Sequence, residues 1–225
     1  GGSPNTVNTF SVVVPANSTL VVVVQDANAG QVDSPYSVQV SGLVGSGSGP
    51  GPCAPAPTAV SRKVHGTSGT FDIPLPTTGA MGIEDRIGNS GVAGSHTIVL
   101  TFSTDPTGAT ATVAANNPSG ATGAVSSVTY SGNDMIVNLT NVSDKQVLTL
   151  STSGGSVSPA VVPIGFLVGD VNASRAVSSS DVAQTKAASG ATLTQLNFRA
   201  DVNANGQVSS SDVAAVKAAS GGTLP

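Results

Sequence analysis

A tandem duplication in the last quarter of the chain constrains its fold more narrowly than any other sequence feature. The windows 169–190 and 200–221 agree at 16 of 22 positions, with a period of 31 residues. In each copy a serine precedes a short apolar run at helical spacing, and a glycine, Gly190 or Gly221, follows the run. Serine favours the start of a helix and glycine its end. The duplication therefore predicts two copies of one loop-helix unit.

The loop of each copy carries oxygen-bearing residues at the spacing of an EF-hand-type calcium loop. Such a loop supplies oxygens from positions 1, 3 and 5, from the carbonyl of position 7 and from a carboxylate at position 12. The predicted ligands of the first loop are Asp170, Asn172, Ser174, the Ala176 carbonyl and Asp181. Those of the second loop are Asp201, Asn203, Asn205, the Gln207 carbonyl and Asp212. We therefore expect two Ca²⁺ ions. Binding should be weaker in the first loop, which has Arg175 where the second has Gly206 and a hydroxyl in place of an amide.

The same residue types also suit Asx turns and helix N-caps, which is the main alternative interpretation of these loops. The distribution of charge favours the metal. Between residues 169 and 225 the only acidic residues are four aspartates, and all four fall at loop positions 1 and 12. Solvation of a surface does not require that arrangement.

With one helix after each loop and "NFRADVNANG" leading into the second loop, residues 167–225 resemble a type I dockerin module. The resemblance implies two calcium ions and docking through the helices onto cohesin, a β-sandwich partner. It also implies that loop positions 10 and 11 steer recognition; here these are Ser179, Ser180, Ser210 and Ser211. Aspartate at position 12 fits the resemblance, whereas Ser174 and Arg175 depart from it. More loosely, "SRKVHGTSGTFDIPLP" and "GIEDR" resemble a module that precedes such tails in bacterial multidomain surface proteins.

Short strands separated by turn signals occupy the middle of the chain. Seven or eight candidate strands lie between Val60 and about Phe166. Their regular spacing predicts an antiparallel sandwich of immunoglobulin-like or jelly-roll type. The expected fold class is therefore mainly β, with a sandwich domain at 58–166 and a small α-helical, dockerin-like calcium-binding domain at 167–225.

The N-terminal part of the chain predicts additional strands and a linker. Residues 1–44 contain three candidate strands, two of them apolar at successive positions, which is typical of strands covered on both faces. We expect this segment to pack on the next domain, on a missing upstream part or on another subunit. Residues 45–57, "GSGSGPGPCAPAP", have the composition of a linker. They include Cys53, the single cysteine, which is either a free thiol or half of an intermolecular bridge.

Composition narrows the class of partner and the compartment. The net charge is -4 and no basic run occurs, which argues against binding to nucleic acid or to an anionic membrane face. No apolar stretch is long enough to span a bilayer. Only 9% of residues are charged and 27 are glycine, which is typical of a β-rich extracellular or cell-surface protein. The chain begins at Gly1 without methionine, which we interpret as a processed product or a fragment.

The sequence offers little for catalysis. His65 and His96 have no Cys, Asp or Glu at ligand spacing, so we expect both to be structural. Glu84, Asp85 and Arg86 form the one dense charge cluster, which we interpret as a salt-bridged loop rather than a pair of catalytic carboxylates. We therefore expect no enzymatic activity.

Three functions fit these observations. The first is a secreted, non-catalytic assembly protein that associates with other copies of itself into a filament or surface layer, by strand sharing and a calcium-stabilised tail. The second is the C-terminal docking module of a larger extracellular enzyme that binds a cohesin-like receptor. A carbohydrate-binding module ranks behind both because the chain has no tryptophan to stack on a sugar.

Overall fold

The computed structural model describes residues 55–89, 92–116 and 121–225. The chain divides into two compact units, Gly1–Ser48 and Gly49–Pro225, and the described residues all belong to the second. The strands predicted within 1–44, most of the linker at 45–57, and Cys53 lie outside the described residues. The interpretations of those segments remain predictions.

Nine β-strands precede two α-helices in the described residues. Eight of the strands correspond to the predicted ones, whereas β3 lies in "GIEDR", which is too short to show a period of two residues. The strands are β1 (Thr58–Val64), β2 (Thr70–Pro74), β3 (Gly82–Glu84), β4 (His96–Thr101), β5 (Ala109–Ala115), β6 (Ala124–Ser131), β7 (Asp134–Thr140), β8 (Gln146–Gly154) and β9 (Val161–Phe166).

The strands form two sheets that enclose an apolar core. One sheet has five strands in the order β2-β1-β4-β7-β6, and the other has four in the order β3-β9-β8-β5. Neighbouring strands are antiparallel except β3 and β9, which are parallel. Alternate residues of β7, namely Met135, Val137 and Leu139, are buried, because successive side chains of a strand point to opposite faces. They pack with Leu150 of the second sheet. The predicted mainly β sandwich is thus confirmed.

Two helices of equal length follow the sandwich at the predicted positions. They are α1 (Ser179–Ala188) and α2 (Ser210–Ala219), and a short 3-10 helix (Phe198–Ala200) lies between them. Ser178 and Ser209 are the N-cap residues, and each forms a capping box with the aspartate three residues later. No helix in the described part of the chain is long and apolar enough to cross a membrane.

The helical part shares its apolar core with the sandwich. Its own large apolar residues are few, and they pack against residues of β3 and of the segment that follows β9. Burial of this shared surface stabilises both parts together, since apolar burial contributes about 25 cal/mol per Å². The members of the cluster are Ile83, Leu167, Val171, Val177, Val202, Val216 and Leu224.

A second shared cluster lies at the β1–β2 hairpin. Phe71 and Ile73 of β2 pack with Leu193 and Phe198 from the segment between the two helices. The rings of Phe71 and Phe198 are stacked, with centroids 5.2 Å apart. The hairpin and the second loop-helix unit are therefore held together by aromatic contacts.

A buried histidine-lysine pair lies inside the sandwich. Lys63 Nζ donates to His96 Nδ1 at 2.9 Å, and both side chains are buried. Burial, reinforced by the Lys63 charge, lowers the pKa of His96 to about 3. Burial also lowers the pKa of Lys63 to about 8, against the opposing effect of Glu84. At neutral pH His96 is therefore neutral and Lys63 is charged.

The depressed pKa of His96 predicts a loss of stability in acid. Its folded pKa of about 3 lies below the ordinary value of 6.5, so between these values the unfolded chain binds the extra proton. The free energy of unfolding should therefore fall as the pH drops below 6.5, by up to about 1.4 kcal/mol per pH unit from this group. Urea unfolding of the wild type and His96→Gln, followed by circular dichroism from pH 7 to pH 4, measures this slope. We expect the variant to show the shallower dependence, and parallel curves would contradict the assignment.

Candidate metal centre

The ten predicted calcium ligands lie in two loops of nearly identical conformation, each ending in the first turn of a helix. In both loops the residue at position 4 has a positive φ, 57° at Ala173 and 55° at Ala204. Position 6 also has a positive φ, 73° at Arg175 and 98° at Gly206. The two copies therefore bend their backbones in the same way.

In the second loop, side-chain oxygens turn inward and accept hydrogen bonds from the loop backbone. Asp201 Oδ1 accepts from the Asn205 N–H at 3.1 Å, and Asp201 Oδ2 accepts from the Gly206 N–H at 2.8 Å. Asn203 Oδ1 accepts from the Asn205 N–H at 3.0 Å, and Asn205 Oδ1 from the Gln207 N–H at 3.0 Å. The side-chain oxygens at positions 1, 3 and 5 are thus gathered around one turn of chain.

Asp212 closes this loop from the helix side. Its Oδ1 accepts from the Asn203 N–H at 3.2 Å, and its Oδ2 accepts from the Ser209 N–H at 2.9 Å. The second bond belongs to the capping box of α2. Position 12 therefore joins the far end of the loop to the helix N-terminus.

The first loop repeats this geometry. Asp170 accepts from the N–H groups of Ser174 and Arg175 at 2.9 and 2.8 Å, and Asp181 accepts from the Asn172 N–H at 3.2 Å. The Ser174 hydroxyl lies 3.0 Å from the Ala176 carbonyl oxygen. The two oxygen atoms predicted to bind calcium at positions 5 and 7 are therefore adjacent.

Serine at position 11 orients the asparagine at position 3 in both loops. The Asn172 side-chain amide donates to Ser180 Oγ at 2.9 Å, and the Asn203 amide donates to Ser211 Oγ at 2.9 Å. Each bond turns the amide nitrogen outward and leaves the amide oxygen toward the loop. This supporting role does not emerge from the sequence pattern, in which these serines are only candidates for partner contact.

The donor chemistry of both loops fits calcium. All four loop aspartates are fully buried, and buried carboxylates are costly unless charge or hydrogen bonds compensate them. Burial raises the pKa of Asp170; the N–H groups of Ser174 and Arg175 oppose the rise, and nearby Asp181 adds to it. A divalent cation compensates the negative charges of Asp170 and Asp181. No cluster of three His, Cys, Asp or Glu side chains able to hold a metal occurs among the described residues. The predicted calcium ligands other than the aspartates are neutral oxygen atoms, which hard cations also bind.

Arg175 occupies the position at which glycine is preferred, and it keeps the left-handed backbone conformation. Its guanidinium turns away from the loop and donates to the carbonyl oxygen of Pro225 at 2.6 Å. The Leu224 N–H in turn donates to the Arg175 carbonyl at 3.0 Å. Residues 224–225 therefore lie beside position 6 of the first loop. Weaker binding by this loop remains a prediction.

The second loop faces the sandwich. A Cβ on Gly206 would lie 2.8 Å from the His65 carbonyl oxygen and 3.3 Å from Ser68 Oγ. The fully buried His65 side chain also reaches this loop, with Nδ1 2.8 Å from Asp201 Oδ2. His65 and Asp201 are 136 residues apart, so no local pattern links them.

Glu84, Asp85 and Arg86 are fully buried beside these loops. Arg86 forms a salt bridge with Glu84 at 2.8 Å, and Asp85 lies 2.9 Å from Arg199 Nη2. Burial raises the pKa of Glu84, but the charges of Arg86 and Lys63 outweigh it and hold the pKa well below its usual range. The predicted salt bridge is thus present, between the last residue of β3 and the buried loop that follows it.

The fit of Gly206 against the hairpin predicts a large cost for a methyl group there. Gly206→Ala combines an unfavourable positive φ with backbone overlap, so we expect it to lower the free energy of unfolding by about 3 kcal/mol. Gly221 is the matched control, because its φ is +86° and nothing lies within 4 Å of an added Cβ. Gly221→Ala should cost about 1–2 kcal/mol. Urea unfolding at saturating calcium compares the two, and equal losses would contradict this packing.

Comparison with known proteins identifies the segment that contains both loops. Residues 168–219 match the family model described as the dockerin type I domain. No similar curated protein and no similar solved structure was found. The matched residues run from the start of the first loop to the end of α2, as the sequence resemblance predicts. The resemblance of the C-terminal part of this chain to type I dockerin modules is therefore confirmed over residues 168–219.

Proposed function

We propose that this chain ends in a calcium-stabilised docking module through which an extracellular, non-catalytic polypeptide binds a cohesin-type β-sandwich partner. The observation that carries the proposal is the dockerin match over 168–219. Dockerin domains bind cohesin, and they occur in extracellular components of cellulosomes. The described geometry adds a surface that suits this role.

Both helices begin with exposed serines. Ser179 and Ser180 at the start of α1 are exposed, and so are Ser210 and Ser211 at the start of α2. Short hydroxyl side chains let a partner backbone approach closely and can both donate and accept hydrogen bonds. These four serines therefore remain our candidates for partner recognition.

An open depression lies between the two helices, beside Ser210. Its volume is about 400 Å³, and it brings two cations, Lys186 of α1 and Lys217 of α2, next to small side chains. A partner with an acidic patch would complement these charges. The residues around the depression are Lys186, Ser189, Ser210, Val213, Ala214 and Lys217.

The docking function is favoured over self-assembly into a filament or surface layer. The filament hypothesis depends on the doubly apolar strands within 1–44, which lie outside the described residues. The dockerin match instead supports a receptor of a different kind. Glu84 and Asp85, the two adjacent carboxylates, are buried away from solvent. Their burial supports a chain without catalytic activity.

Two calcium ions are expected per chain, one in each loop. Isothermal titration calorimetry of the chelator-treated protein should give two binding events, and Asp212→Ala should reduce them to one. Calcium binds the folded loops, so an excess of 100-fold over Kd should raise the free energy of unfolding by about 2.7 kcal/mol per site. A single event in the wild type would contradict the two-ion proposal.

Introducing negative charge at the two helix N-termini tests the proposed docking surface. Ser179→Glu and Ser210→Glu place carboxylates at the first helical positions, where they favour the helix but oppose an acidic partner. We expect the double variant to bind at least tenfold more weakly than the wild type to type I cohesin domains, measured by biolayer interferometry in calcium. Ser103→Glu, on an exposed turn of the sandwich, is the control.

Two results would overturn the docking proposal. One is unchanged cohesin affinity in the double variant. The other is a wild-type chain that binds none of a broad cohesin panel yet forms calcium-dependent polymers in analytical ultracentrifugation, which would favour self-assembly.

A further inference from the structure

A hydrogen-bonded chain of three side chains leads from the sandwich to the second calcium loop. Arg86 Nη1 lies 3.0 Å from His65 Nε2. A guanidinium can only donate, so Nε2 is the acceptor and the ring proton sits on Nδ1. His65 Nδ1 therefore donates to Asp201 Oδ2, 2.8 Å away. The neutral imidazole orients the carboxylate at loop position 1.

Arg86 is held so that this orientation is fixed. Its Nε and Nη2 donate to the two Glu84 oxygens at 2.8 Å each. Its remaining protons go to the carbonyl oxygens of Phe71 and Ser61, at 3.0 and 2.9 Å. With the bond to His65, all five guanidinium donors are used, and the side chain is fully buried. The guanidinium that contacts His65 is therefore held in one position.

A second series of polar contacts leads from the Glu84-Asp85-Arg86 segment to the first loop. Asp85 lies 2.9 Å from Arg199 Nη2, and burial raises the pKa of Asp85 to about 7 although the Arg199 charge opposes the rise. Arg199 Nε donates to the Val171 carbonyl at 3.0 Å, and Nη2 donates to the Asp170 carbonyl at 3.2 Å. Arg199 thus connects the backbone at positions 1 and 2 of the first loop with Asp85, the residue that follows β3.

Backbone hydrogen bonds join the same surfaces. The Gly66 N–H donates to the Ala204 carbonyl at 3.1 Å, and the Ile87 N–H donates to the Val202 carbonyl at 2.9 Å. Ser68 Oγ donates to the Gly206 carbonyl at 2.8 Å. Main-chain groups of the second loop are therefore satisfied by the sandwich rather than by water.

We propose that Glu84, Asp85 and Arg86, acting through His65 and Arg199, are positioning residues that make the sandwich part of the calcium sites, so that calcium binding and sandwich packing form one cooperative unit. This inference rests on the calcium binding proposed above. The dockerin part then depends on the sandwich before it for the geometry of the position-1 carboxylate in the second loop and of the position-1 backbone in the first. By linkage, calcium in the second loop stabilises the β1–β2 hairpin.

The strongest test separates the two hydrogen bonds of His65. Asparagine places an amide near Nδ1 and can keep the bond to Asp201, whereas glutamine reaches the Nε2 position and keeps only the contact with Arg86. Residues that orient a metal ligand typically change metal affinity by about 10- to 100-fold. We expect His65→Gln, which loses the bond to Asp201, to weaken calcium binding to the second loop by about that factor. His65→Asn keeps that bond but loses the contact with Arg86, so its affinity should lie between those of the wild type and His65→Gln.

The two loops provide matched backgrounds for this measurement. In Asp170→Ala/Asp181→Ala the second loop alone is titrated, and in Asp212→Ala the first loop dominates. Calorimetric titration of the full chain should show the effect of His65→Gln in the first background and no effect in the second. His96→Gln replaces the other buried histidine, which contacts Lys63 and no loop residue, and should change neither affinity.

Hydrogen exchange of the wild type keeps the inference testable if a His65 variant fails to fold. Calcium should slow exchange of the Gly66 and Ile87 amides at least tenfold, with a smaller effect on β5–β8 amides such as Leu150. Two results would overturn the inference. One is unchanged calcium affinity in a folded His65→Gln variant. The other is unchanged exchange of the Gly66 and Ile87 amides when calcium is bound. A wild type that binds no calcium overturns it together with the calcium proposal, whereas calcium binding without cohesin binding affects the docking proposal alone.

Discussion

The C-terminal, helical part of this structure depends on how four buried carboxylates are compensated. Asp170, Asp181, Asp201 and Asp212 are all fully buried, and removing a carboxylate from water costs several kcal/mol unless opposite charge and hydrogen bonds replace the solvent. Backbone N–H groups supply part of the compensation in both loops. A cation would compensate the remaining charge. The loop backbone and the helix caps bond to these four side chains, and the sandwich contacts Asp201 through His65.

The need for a shared core follows from the composition of the helical part. α1 and α2 are rich in alanine and serine, and their buried residues are few. Two short helices of that kind cannot exclude much water by themselves. Ile83 and Leu167 extend the apolar cluster from one side, and Phe71 stacks on Phe198 from another. The sandwich therefore contributes both apolar surface and hydrogen bonds to the module that follows it.

The two duplicated loops diverge where their surroundings differ. Position 6 of the second loop lies against the hairpin, where even a methyl group would meet the His65 carbonyl, and the residue is Gly206. Position 6 of the first loop is exposed, and Arg175 adopts the same left-handed backbone there while it bonds to the C-terminus. Steric contact with the sandwich, more than the loop geometry itself, accounts for the glycine in one copy and its absence in the other.

Local sequence determined the elements of this protein whose causes lie within a few residues of one another. These are the two loops with their acidic first and last positions, the capped helices and most of the strands, because spacing, capping and side-chain period act over short range. Tertiary structure alone decided that His65 meets Asp201, that Arg199 joins Asp85 to the first loop, and that Ser180 and Ser211 hold asparagine side chains. The first two contacts pair residues more than a hundred positions apart. Only the packing of the dockerin part against the β1–β2 hairpin and β3 brings them within hydrogen-bonding distance.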